Sequence, residues 1–280
     1  MFESPVVRAG RFRCPVSHPR FRDSGPTNHY TFAFPRTSVW IHHGHCEPFI
    51  TDTTTVTMYN PSQRYERRPN DPRGDLCEWV EPSAGTLRGL VGAFDRASAD
   101  EPTDMLKFPW GPIAPERYLE QRRLYEYLVR EPVPDVLRVE ESAVSVLGGV
   151  LQDVYDARNP TRRREAAIGA HHRRLVEGVR AYLSRTFREP QSLATISERF
   201  NVSAFHLCRL FRACSGTTIH AYLNQLRLRL SLERLLDPGT DILALALELG
   251  YSSHSHFTSA FGRCYGCRPS AWRQLAARKG

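Results

Sequence analysis

The apolar positions change rhythm along the chain. Up to about residue 110 they come in short β-branched and aromatic runs, Tyr30–Phe34, Ser38–His43, Thr53–Tyr59 and Cys77–Val80, which predict strands. Pro35, Gly44, Pro48, Asn60-Pro61 and the stretch Asn70-Asp71-Pro72-Arg73-Gly74 punctuate them. Many short strands broken in this way predict a small antiparallel barrel or sandwich. From Pro115 the spacing becomes helical, over Glu116–Arg130 and Val139–Ala157. The second of these carries Ala143, Val144, Leu147, Val150, Leu151, Val154 and Tyr155 on a wide apolar face, which needs either the barrel or a second subunit to cover it. Asp156–Arg164 reads as a linker with a basic run, and Ala166–Arg188 as a helix leading onward.

The rest of the chain repeats one pattern twice. Ser192 to Gly216 and Asp241 to Gly266 each hold a polar cap, a short apolar-periodic helix, a tight break and a second Ser-capped helix. The breaks fall at Asn201-Val202 and Gly250-Tyr251. A helix between the copies, Ile219 to Leu236, stops at Asp237-Pro238-Gly239. Helix–turn–helix units place their second helix in the DNA major groove. In the first copy Leu207, Leu210, Phe211 and Cys214 form an inward stripe, while Phe205, Cys208, Arg209 and Arg212 share another face. Arg209 suits bidentate contact with guanine. In the second copy Phe257, Phe261 and Cys264 turn inward, and His254, Ser255, Thr258 and Ser259 are expected to face out.

Charge sharpens this picture. The chain of 280 residues has 38 Lys+Arg and 30 Asp+Glu. From His171 onward there are 16 basic and 7 acidic residues, a net of +9; the preceding 170 residues carry 22 and 23, a net of −1. The excess positive charge therefore sits with the tandem motif, as a phosphate-binding surface requires. The opening MFESPVVRAGRFR lacks the apolar core of a leader, and DILALALELGY is too short to span a bilayer. Seven cysteines without disulfide-framework spacing point to a reducing, cytoplasmic compartment.

The pattern Ser203, Leu207, Arg209, Phe211, Gly216, Thr218, Tyr222, Arg227, Leu236, Ile242, Ala246, Gly250-Tyr251, Ser255, Phe257, Phe261, Gly266, Pro269 and Arg273 resembles the AraC/XylS family of bacterial transcriptional regulators. The resemblance covers roughly the last hundred residues. It implies a seven-helix domain that reads two successive major grooves. It places Phe205, Cys208 and Arg209 at base-contacting positions of the first unit, with His254, Ser255 and Ser259 doing so in the second. Ser203, Arg212 and Thr258 complete the expected DNA-binding set. Ser259 and Gly262 depart from the basic residues usual in the family, which weakens readout by the second unit. The implied partners are a double-stranded operator, RNA polymerase, a small effector and a second copy of the chain, with activation the commoner outcome and no membrane partner. The expected fold class is α+β. A cupin-like antiparallel barrel over residues 1–110 is followed by a helical dimerisation region over 111–160, and an all-α reader fills 165–280.

His43, His45 and Glu47 alternate, so on a strand they would share a face, as in a metal-binding cupin strand. The acid follows too soon for the cupin pattern, and Tyr65 stands where a second histidine belongs. A cupin-type metalloenzyme or metal sensor fused to a DNA-binding tail is thus the alternative reading; otherwise these side chains line an organic-ligand pocket or a solvated edge. Cys264 and Cys267 make a C-x-x-C best explained by packing. No phosphate loop, nucleophile elbow or H-E-x-x-H helix occurs, so neither enzyme activity nor a cofactor is expected.

Overall fold

The computed structural model describes residues 1–44, 46–158, 169–237 and 239–277. The chain divides into two compact units, residues 1–164 and 165–280.

Among the described residues of the first unit nine strands form two antiparallel sheets. Their ranges are β1 Phe2–Glu3, β2 Val7–Cys14, β3 Thr31–Pro35, β4 Val39–His43, β5 Phe49–Thr51, β6 Thr55–Tyr59, β7 Tyr65–Pro69, β8 Asp75–Pro82 and β9 Trp110–Pro112. One sheet has the order β1-β2-β8-β3-β6-β9, the other β5-β4-β7. The expected runs appear as β3, β4, β6 and β8, each shifted by a residue or two. The strands β2 and β7 were hidden by their arginines. Along β2 and β8, Phe12 stands opposite Cys77 and Cys14 opposite Asp75, so alternate residues of both strands share the face that looks into the space between the sheets. At one end of that space Cys14, Phe21, Val39, Ile41 and Phe49 close a core.

The outer face of the larger sheet carries helices α1 (Ala84–Gly92), α2 (Arg96–Ala99), α3 (Pro115–Arg130) and α4 (Val136–Arg158). α4 buries Val139, Ala143, Val146, Leu147, Val150, Leu151 and Val154. Its packing is close: a Cβ on Gly111 of β9 would lie 2.4 Å from a methyl of Val154. The sheet and neighbouring helices therefore cover the broad face of α4, which is not left open for a second subunit. α3 docks through charge. Glu78 of β8, 3% exposed, holds Arg122 at 2.7 Å and Arg36 at 3.1 Å, with Arg11 at 3.3 Å, and accepts from Gln121 at 2.7 Å. A buried carboxylate is tolerated only with such a shell of donors.

The second unit has seven helices among its described residues. They are α5 Ala170–Thr186, α6 Leu193–Arg199, α7 Ala204–Ser215, α8 Ile219–Arg234, α9 Ile242–Glu248, α10 His254–Tyr265 and α11 Pro269–Ala277. The first residues of the expected leading helix and most of the expected linker lie outside the described residues, as does Pro238. Val176, Val179, Leu183, Ile196, Leu207, Leu210, Phe211 and Tyr222 form the core of the first half. Arg227 of α8 clamps the whole. Its guanidinium donates to the carbonyls of Phe187 at 2.7 Å, Glu189 at 3.2 Å and Gly250 at 3.3 Å, tying the end of α5 and the second turn to the central helix.

Candidate nucleic-acid interface

Each helix–turn–helix is built by the same local chemistry. Ser192 and Asp241 cap α6 and α9. Asn201 at φ 51° and Gly250 at φ 77° make the two tight turns, and Ser203 and Ser253 cap the second helices by accepting from the backbone N–H of His206 and His256. Both α7 and α10 end at a left-handed glycine, Gly216 and Gly266, whose N–H returns to the carbonyl four residues back. Neither second helix has an acidic residue in its first turn, so nothing there repels phosphate.

The buried side of α7 is Leu207, Leu210 and Phe211. Its opposite side exposes Phe205, Cys208, Arg209 and Arg212. Phe205 is 78% exposed, an unusual position for a large aromatic unless something covers it. Ser203 is exposed too, with its hydroxyl already engaged as the cap. On α10, Phe257, Ala260, Phe261 and Tyr265 are buried, whereas His254, Ser255 and Ser259 are exposed. Thr258 corrects the expectation. It is half-buried with Oγ1 shut away from solvent, because it lies one helical step from Phe257 and about 60° from Phe261 and so flanks the buried stripe.

Two further residues belong to this face. Arg263 and His256 are exposed on α10; Arg263 follows Ser259 by four residues and supplies the cation that Ser259 and Gly262 lack. His256 accepts or donates at 3.1 Å to Ser252 and stacks edge-on against Tyr251. Counting in steps of four from Ser255 would have found Arg263. Not every arginine serves the surface: Arg180 and Arg229 are buried, the former 3.1 Å from Glu177. Cys264 and Cys267 are half-buried. Among the described residues no group of three His, Cys, Asp or Glu side chains could hold a metal ion.

The model for a helix-turn-helix domain matches residues 196–275. The transcriptional regulator ExsA of Pseudomonas aeruginosa is 27% identical over 208 residues, 70% of this chain and 69% of that protein. The regulatory protein SoxS of Escherichia coli K12 is 26% identical over 102 residues, 36% of this chain and 95% of that one. Among solved structures, ToxT from Vibrio cholerae O395 covers 98% of this chain and 99% of its own at 11% identity and a TM-score of 0.37. Over this domain the chain resembles the AraC/XylS family of transcriptional regulators. It is a DNA-binding transcriptional regulator. No helix among its described residues is long and apolar enough to cross a membrane.

The front unit corrects the metal-strand expectation. β4 ends at His43, Glu47 lies beyond it and is exposed, and His45 is outside the described residues. Of the two described residues of that motif, His43 turns into the fold and Glu47 does not share its face. His43 is 2% exposed, stacked among Phe49, Tyr59 and Tyr65 at 5.8, 5.1 and 6.2 Å. Its Nδ1 meets the Gln63 amide while Nε2 has no hydrogen-bond partner. Burial, and then neighbouring His42, lowers its pKa to about 4, so the ring is neutral near pH 7.

Beside this ring lies a cavity of about 330 Å³ between the two sheets. Phe12, Tyr59, Tyr65 and Trp79 line it, with Asp75, Cys77, Glu81, Arg8, Thr31, Thr51 and Thr57. Behind Asp75 sits Arg67, whose side chain is 1% exposed. Its guanidinium bonds Asp75 at 2.7 Å and lies over the rings of Phe12, Phe21 and Tyr65 at 5.0, 5.3 and 5.7 Å. Burial raises the Asp75 pKa against the pull of Arg67, and burial pushes the Tyr65 hydroxyl up to about 12, leaving it a donor.

Proposed function

We propose that α7 is the principal base-reading helix and that α10 mainly positions the domain on the phosphate backbone. The observation that carries this is the contrast between the two exposed faces. α7 presents Phe205, Cys208, Arg209 and Arg212, whereas α10 presents His254, Ser255 and Ser259, with its cation, Arg263, set back toward the C-terminal end. Bidentate readout of guanine needs a guanidinium near the N-terminal half of the reading helix, which Arg209 supplies and α10 lacks. The connecting helix α8 has 16 residues and so runs about 24 Å, a rigid spacer suited to placing both units on one side of a duplex, in successive major grooves about 10 base pairs apart.

The sandwich of the first unit binds a small effector in its cavity, and the chain acts on transcription together with RNA polymerase, as an activator and as a homodimer. Support for the effector is the space between the sheets and its mixed lining; support for the activator role is the family resemblance alone. The reading is tested by selecting binding sites from a random duplex library with the full chain, then with Arg209→Ala and Arg263→Ala. Loss of preferred bases with Arg209→Ala, and a weaker but unchanged preference with Arg263→Ala, is the expected result. An unchanged consensus for Arg209→Ala refutes the assignment.

A further inference from the structure

The cavity between the sheets has a wall whose charges are already spent. Glu81 receives Arg8 at 3.0 Å on one oxygen and the Thr31 hydroxyl at 3.0 Å on the other. Asp75 gives Oδ2 to Arg67 at 2.7 Å, and Arg67 reaches it from the core, not from the cavity lining. Each carboxylate thus has its own guanidinium, and neither cation is left over for an incoming anion. A ligand carboxylate would have to sit beside Asp75 and Glu81, where like charges and desolvation both oppose it. What the wall does offer is an acceptor: Asp75 Oδ1, which faces no donor of the protein. It lies next to the aromatic walls Tyr59 and Tyr65, whose rings are 4.7 Å apart, with Trp79 farther along the strand that carries Asp75.

We propose that this cavity takes a small, uncharged aromatic compound carrying O–H or N–H donors, seated against Tyr59, Tyr65 and Trp79 with a donor on Asp75, and that it rejects aromatic carboxylates. The proposal rests on the reading of the first unit as the effector domain. About 330 Å³ falls at the small end of ligand sites, which span roughly 300–1,000 Å³, and this restricts the compound to one ring or two. Aromatic walls favour an offset or edge-on ring. The charge balance of the two ion pairs removes the incentive for a cation, because Arg67 already neutralises Asp75 and stands directly behind it.

The test uses three probes that share one phenol ring and differ in charge: 4-hydroxybenzamide, 4-hydroxybenzoate and tyramine. Binding to the full chain is followed by fluorescence, since Trp79 forms part of the wall, and is repeated with Trp79→Phe to locate the signal. The cavity is filled separately by Ala33→Leu and by Thr57→Leu on adjacent strands, so that one folded variant suffices. The expected result is saturable quenching by 4-hydroxybenzamide, at least about tenfold tighter than by 4-hydroxybenzoate or tyramine, and lost in the filled variants. Equal or tighter binding of 4-hydroxybenzoate or of tyramine overturns the ligand class while leaving the effector-domain reading intact. Binding that survives both fillings overturns the site. If no probe binds at millimolar concentration, the proposal fails; the filled variants then decide the wider reading. A changed DNA affinity or transcriptional output in them keeps the effector domain, and unchanged output removes it as well.

Discussion

Asp75→Asn isolates the energetics of the buried charge that organises the front unit. The substitution keeps the shape of the side chain and removes the counter-charge of Arg67. The guanidinium, 1% exposed, then keeps the Arg20 carbonyl at 3.1 Å and the Ser24 hydroxyl, together with three aromatic faces between 5.0 and 5.7 Å away. Neutral acceptors and ring faces replace a full carboxylate only in part, since cation–π contacts give about 0.5–2 kcal/mol each. Stranding one partner of a buried pair costs about 3–5 kcal/mol. For a unit of this size, that corresponds to a drop in melting temperature of roughly 6–20 °C. Three of the four tryptophans, Trp40, Trp79 and Trp110, lie in the first unit, so urea unfolding followed by fluorescence in a Trp272→Phe background reports on that unit. Adding Arg67→Met to Asp75→Asn removes the stranded charge and is expected to recover a large part of the loss. A cost below about 1 kcal/mol for Asp75→Asn, or a double variant as unstable as the sum of the two singles, would show that the pair is not a buried charge pair in solution.

Four other outcomes are expected. Arg209→Ala, at an exposed position, leaves urea stability within about 0.5 kcal/mol yet weakens the preferred operator by about 1–3 kcal/mol, read by titration of selected against scrambled duplex. Ser259→Arg restores a cation to the α10 face and steepens the dependence of log K on log salt by about one unit; an unchanged slope means that α10 does not approach phosphate. Gly250→Ala places a Cβ 2.7 Å from Arg227 Nη2 at a φ of 77°. It is expected to cost at least about 1–2 kcal/mol and to lower DNA affinity without moving the unfolding of the first unit. His43 supplies the pH dependence. Its folded pKa of about 4 lies below the unfolded value of about 6.5, so the unfolded chain takes up the extra proton. The stability it allows is complete above about pH 6.5 and falls as the pH drops toward 4, by about 3 kcal/mol in all; His43→Phe, measured by urea unfolding between pH 4 and 7, should flatten that part of the curve.

The sequence by itself determined the reader. Its helices are short and amphipathic, and those of the two motifs carry their own signals: Ser192, Ser203, Asp241 and Ser253 cap all four, and Gly216 and Gly266 end both reading helices. Caps and 3.6-residue stripes are local, so they show in a linear pattern. Thr258 escaped because the edge of a buried stripe is set by how its neighbours pack, a detail finer than the periodicity. The front unit was legible only where strands alternate cleanly, at β3, β4, β6 and β8. Tertiary structure alone decided the rest. β2 and β7 look polar in sequence because Arg8, Arg11 and Arg67 find their carboxylates on β8, some distance along the chain. His43 and Glu47 part company because β4 ends between them. The broad face of α4 is settled by Gly111 and the sheet that lies against it. For Arg8, Arg11 and α4 the partner that neutralises a charge or covers a surface is distant in sequence, and pairing at that range is fixed only by the folded chain.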